Sequence, residues 1–106
     1  MARFDVFLNP GEHSANVPYL LDVQSEVLSS LHTRVVIPLR RRDSLPAISF
    51  PANLMPAVVV GGLECILETP KLAAVPVRIL KEPPVTSLAA QHFEITAALD
   101  FLFQGF

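Results

Sequence analysis

The sequence predicts a mainly β domain closed by one C-terminal α-helix, and three observations carry that expectation. Ten prolines in 106 residues, with many β-branched side chains, divide the chain into short extended runs. Two apolar runs, Ala57-Val58-Val59-Val60 and Leu63-Glu64-Cys65-Ile66-Leu67, are joined by Gly61-Gly62. That is a tight hairpin, because glycine supplies the positive φ that primed turns require. From Thr86 the chain has neither proline nor glycine until Gly105. Strands over about 3–80 and a helix over about 88–103 make a single domain, 1–106. Its expected form is a small barrel or strongly curved sheet with the helix lying across it.

The elements follow in order. Phe4, Val6 and Leu8 alternate with Arg3, Asp5 and Phe7, as in a half-buried strand. Asn9-Pro10-Gly11 ends it as a turn. Tyr19 to Gln24 reads as a second strand and Arg34 to Leu39 as a third, with Pro38 at a strand end or a sheet edge. The Gly-Gly hairpin comes next. Ala74 to Leu80 is a last short strand, and Pro83-Pro84 closes the β region. Thr86 or Ser87 can cap the helix. Ile95, Leu99 and Leu102 recur at i, i+4 and i+7, with Ala98 and Phe106 on the same side and Phe103 at its edge.

Composition excludes several classes. An apolar fraction of 51% can build a real core, which argues against disorder. A net charge of -2 and a pI near 5.8 argue against direct nucleic-acid binding. Arg40-Arg41-Arg42 could still touch phosphate or an acidic partner, but reads first as a solvated loop. The single cysteine, Cys65, allows no internal disulfide, fits a reducing compartment and reads as a small core residue. Asp5 interrupts any signal-like apolar run. No stretch approaches the ~20 apolar residues of a membrane span. A soluble cytoplasmic protein is expected.

Catalytic chemistry is not legible. His13, His32 and His92 are scattered, without metal-ligand spacing to Cys65, and no phosphate-binding glycine loop is present. Ser25, His32 and Asp43 have no spacing that supports a triad. Glu64 and Glu68 share the wet face of a strand on a period of two. No catalytic residue, cofactor or metal is expected, and the chain does not read as an enzyme.

The most informative segment is the end, Phe101-Leu102-Phe103-Gln104-Gly105-Phe106. Termini are usually polar and loosely ordered. An apolar terminus must be buried in its own fold, buried in a dimer or kept as a contact surface.

Leu21-Asp22-Val23-Gln24-Ser25-Glu26, Arg34 to Leu39 and Ala73-Ala74-Val75-Pro76-Val77 occur in this order before that end. Together they resemble the CcdB family of toxins from bacterial type II toxin–antitoxin pairs, from Phe4 to Phe106. The resemblance implies an SH3-like barrel, related in architecture to MazF, with a long C-terminal helix, assembled as a homodimer. It implies two partners: a cognate CcdA-like antitoxin and the A subunit of DNA gyrase. Family members act as topoisomerase poisons that trap gyrase on cleaved DNA. The antitoxin's disordered segment folds onto the toxin as it binds.

Position by position, the resemblance assigns the gyrase-binding surface to Ser25, Val27 and Leu28 in the loop after Gln24, and to Asp100, Phe103, Gln104, Gly105 and Phe106 at the helix end. Ser25, Phe103 and Gly105 keep the family residue type. Val27 and Leu28 replace isoleucines, and Phe106 replaces a terminal isoleucine. Asp100 stands where the gyrase-poisoning member has asparagine, and Gln104 where it has tryptophan. Three readings follow. The first is a gyrase poison. The second is a non-toxic or retargeted protein of the same fold that still binds antitoxin. The third is a MazF-like endoribonuclease, whose basic RNA groove would use Arg34 and Arg40-Arg41-Arg42.

Overall fold

In the computed structural model, residues 1–46 and 51–106 are described. Part of the proline-rich 40–56 segment therefore lies outside the described residues. Among the described residues seven strands form one antiparallel, nearly closed barrel-like sheet: β1 (Asp5–Leu8), β2 (Tyr19–Asp22), β3 (Thr33–Arg41), β4 (Ala57–Val60), β5 (Leu63–Leu67), β6 (Ala73–Pro76) and β7 (Thr86–Ser87). Their order is β4-β5-β3-β2-β1-β7, with β6 also on β3. An α-helix, α1 (His92–Gln104), follows, the single one among the described residues. The fold class expected from the sequence is thus observed.

The long strand β3 organises the sheet. One edge pairs with β2, with Leu21 opposite Ile37 and Asp22 opposite Val36. The other edge is shared between β6, which pairs with Thr33 to Val36, and β5, which pairs with Leu39 to Arg41. Pro38 was expected at a strand end or an edge. It instead lies inside β3, where this second edge changes partner. Its missing N–H falls at that change, and its carbonyl still accepts from the Glu68 N–H at 3.0 Å.

The hairpin between β4 and β5 forms as expected, with Val60 opposite Leu63. Gly61 and Gly62 have φ of 57° and 83°, the left-handed region that only glycine enters without cost. Other expectations change. Arg40 and Arg41 belong to β3 rather than to a solvated loop. The short strand expected over Ala74 to Leu80 stops at Pro76, and Val77–Ile79 is a 3₁₀ turn. Thr86 and Ser87 pair with β1 rather than capping the helix. The Ser87 hydroxyl accepts the Ala89 N–H at 3.2 Å, where a 3₁₀ turn, Ala89–Gln91, begins. The α-helix therefore begins at His92, four residues beyond its expected start.

Both faces of the sheet are covered. The main core gathers Val6, Leu21, Ile37, Leu39, Val60, Cys65 and Leu67 with Leu88, Ile95 and Ala98. A second cluster on the opposite face holds Phe7, Leu20, Val36 and Leu80. This explains why Phe7, expected to face water, is fully buried, whereas Leu8 at the strand end is exposed. Alternation works as predicted, but its second face is apolar as well. Ile95 and Ala98 seat α1 on the core, and Leu99 packs beside them. Burying a side chain such as Ile95 contributes about 1.5–3 kcal/mol. Phe106 leaves the helix face assigned to it, because Gly105 ends the helix with φ of 80° and redirects the chain.

Candidate functional site

The loop after Gln24 is held from below by a buried charge. Asp22 follows apolar residues on β2, and Arg34 opens an apolar run on β3. Asp22 faces Val36, so Arg34 is two positions along the partner strand and within diagonal reach. The Arg34 guanidinium meets the Asp22 carboxylate at two points, Nε to Oδ2 and Nη2 to Oδ1, each at 2.9 Å. Both side chains are fully buried. Arg34 Nη2 also donates to the Gln24 carbonyl at 2.8 Å, and Nη1 reaches the Ser25 carbonyl at 3.5 Å.

The Gln24 side chain continues the brace. Its Oε1 accepts the Val35 N–H at 2.9 Å, and Nε2 donates to the Thr33 carbonyl at 3.2 Å and the Leu28 carbonyl at 3.4 Å. Ser25 then caps the 3₁₀ turn Glu26–Leu28, its hydroxyl accepting the Val27 N–H at 3.3 Å. The result is a tethered turn that turns apolar side chains outward. Val27 is 87% exposed, and Leu28 and Leu31 are half exposed.

The second group is the end of α1. Gly105 donates its N–H to the Phe101 carbonyl at 2.9 Å, which completes a left-handed helix cap. Asp100, Phe103, Gln104, Gly105 and Phe106 are all exposed, with Phe103 at 72% and Phe106 at 84%. Phe101 and Leu102 are half-buried. Each group of sequence-predicted residues is thus brought together internally. Among the described residues, no hydrogen bond or ring contact joins the loop to the helix end.

The basic residues do not form one patch. Arg34 is enclosed with Asp22. Arg41 makes a two-point ion pair with Asp43 at 3.0 Å, and its hydrogen bond holds the Asp43 carboxyl below the usual range. Arg42 approaches Glu64 at 4.0 Å. Glu64 is exposed as expected, but Glu68 is not: it is buried beyond the end of β5, with Lys71 at 3.5 Å.

Sequence reading missed the Arg34–Asp22 brace. The available signal was a pair of opposite charges set into two apolar strand segments, which can be buried together only as partners. Cys65 is buried as expected, and burial pushes its thiol pKa up. Ser25, His32 and Asp43 share no hydrogen bond: the Ser25 hydroxyl serves Val27, and Asp43 is engaged by Arg41. Among the described residues no cluster of His, Cys, Asp and Glu could hold a metal ion. Among them, too, no helix is long and apolar enough to cross a membrane.

A family model described as CcdB protein matches residues 3–105. No curated protein matches the chain.

Proposed function

The chain belongs to the CcdB family, and from that premise we propose that it is a homodimeric toxin that binds the A subunit of DNA gyrase, traps the cleaved-DNA complex and is neutralised by a cognate CcdA-like antitoxin. The observation that carries this reading is the helix end. Phe103 and Phe106 stand out from a helix whose other face is seated in the core. Exposed aromatic side chains on a rigid support suit an interface anchor. A twofold axis near the helix ends would double that surface and cover their apolar flanks. In this reading the protein works by binding in the cytoplasm and has no catalytic residue.

A second reading rests on Gln104 and Asp100. Truncating an interface tryptophan costs roughly 2 kcal/mol or more, about thirtyfold in affinity. Glutamine lacks that aromatic area, and Asp100 adds a charge that an acidic partner would repel. A protein that keeps the antitoxin but has lost or redirected gyrase poisoning fits these two residues. The endoribonuclease reading is the least supported, since three of the four arginines it would use, Arg34, Arg41 and Arg42, lie beside carboxylates.

The deciding experiment is a supercoiling and cleavage assay with purified protein, gyrase and plasmid DNA, wild type beside Gln104→Trp. Linear DNA trapped by the wild type supports the poison, with Phe106 serving in place of the tryptophan. Trapping by Gln104→Trp alone supports the second reading. Intact DNA with both, and RNA cut by the wild type, would favour the nuclease.

A further inference from the structure

Arg40 differs from its basic neighbours. Arg41, Arg42 and Lys71 each lie beside a carboxylate. Among the described residues Arg40 has no such partner, and its Nε is buried without a hydrogen bond. Arg40 as a whole is half-buried, but a donor atom enclosed without an acceptor is costly, so Nε is suited to an acceptor that enters from outside the chain.

The same residue lines a half-open cavity of about 450 Å³. The cavity is built before any ligand arrives. The Arg41 N–H donates to the Asn16 carbonyl at 2.8 Å, tying the 9–17 loop to β3 beside Arg40. Within that loop the Asn9 side chain donates to the Val17 carbonyl at 2.8 Å and accepts the Gly11 N–H at 3.0 Å. The opposite wall is fastened by the Glu68 N–H on the Pro38 carbonyl.

We propose that this cavity is a binding site for a small organic anion, whose acidic oxygens are held by Arg40 and whose apolar body rests on Leu20 and Pro38. The charge balance sets the sign of the ligand's charge. Of the lining side chains, Glu68 and Lys71 offset one another at 3.5 Å and His13 lies 3.9 Å from Glu12, which leaves the Arg40 guanidinium, among the described residues, as the lining cation with no carboxylate beside it. The volume sets its size. Cavities of about 300–1,000 Å³ enclose organic molecules, and a bare inorganic ion would leave most of this one empty. The guanidinium geometry suits carboxylate and phosphate oxygens alike. The site does not depend on the gyrase-binding surface.

The test uses the wild-type protein and three probes that share a phenyl ring: benzoate, phenyl phosphate and neutral benzamide. Binding is followed by NMR at the Arg40 Nε–H, the Asn16 amide and the Leu20 methyls. The expected result is saturable binding of benzoate or phenyl phosphate, at least about tenfold tighter than benzamide and weakened about tenfold or more by Arg40→Gln. Whichever anion binds tighter identifies the head group. Equal binding of benzamide, or undiminished binding to folded Arg40→Gln, would overturn the proposal. So would the absence of saturation by either anion up to about 20 mM, a ceiling weaker than ordinary site affinities. If Arg40→Gln does not fold, the comparison of benzoate and phenyl phosphate with benzamide on the wild type decides.

Discussion

Arg34 and Asp22 form a fully buried two-point ion pair whose guanidinium also holds the Gln24 carbonyl. The pair therefore links the sheet to the loop that presents Val27 and Leu28. Desolvating two charges is expensive, and their attraction offsets that cost only while both remain. Arg34→Met should lose about 3–5 kcal/mol by chemical denaturation, because Asp22 is then buried alone. The double variant Arg34→Met/Asp22→Leu should lose less than Arg34→Met alone. A double variant worse than either single would mean that the carbonyl contacts, rather than the charges, dominate.

The β4–β5 turn gives a cleaner backbone test. A Cβ at Gly61 or Gly62 would meet nothing within 4 Å, so crowding is absent and only the positive φ matters. Gly62→Ala should cost about 1–2 kcal/mol, the penalty for an L-residue in the left-handed region. Gly61→Asn should cost less, since asparagine tolerates that region. Urea midpoints of the two variants check the order.

Legibility followed the range of the interactions. The Gly61-Gly62 hairpin and the Ile95–Ala98–Leu99 face were readable because their signals lie within a few residues. Family membership was readable from ordered segments. Pro38 was misplaced because the rule that sends proline to an edge assumes one partner per edge, whereas β3 changes partner there. Phe7 was misplaced because a period of two states that faces alternate but not that the second is wet. Arg34 was missed because its partner lies 12 residues away, and only the β2–β3 register puts the two together.

Cys65 is fully buried, and burial raises its thiol pKa. The thiolate is the reactive form, so native protein should react with a thiol reagent only as fast as it opens. Adding urea through the unfolding transition should release one full equivalent. Prompt stoichiometric reaction in buffer would contradict the burial. Cys65→Ser should destabilise by about 1–3 kcal/mol if the new hydroxyl finds no partner.

Asp43 offers a pH readout on the surface. Its hydrogen bond from Arg41 lowers its pKa below the ordinary carboxylate value. The sign follows from linkage: a depressed folded pKa gives stability that is present above the unfolded value and is lost as pH falls through the folded one. The pair is exposed, so its effect on stability is small and screened by salt. The titration itself is the better measurement. By NMR, Asp43 should titrate below its ordinary value in the wild type and return towards it in Arg41→Gln.

The helix end separates folding from binding. Phe106 is exposed, so Phe106→Ala should leave stability within about 0.5 kcal/mol of the wild type. If Phe106 anchors a partner, the same change should weaken that partner's binding by about thirtyfold. Gly105→Ala probes the support rather than the anchor. Its φ of 80° makes an L-residue strained by about 1–2 kcal/mol, and relief of that strain would swing Phe106 away from its direction. Binding should fall while the anchor residue stays intact. Calorimetry with a purified gyrase A fragment and with antitoxin peptide, beside denaturation of each variant, makes the separation. Unchanged affinity for both partners in Phe106→Ala would remove this end from the contact surface and return attention to Val27 and Leu28.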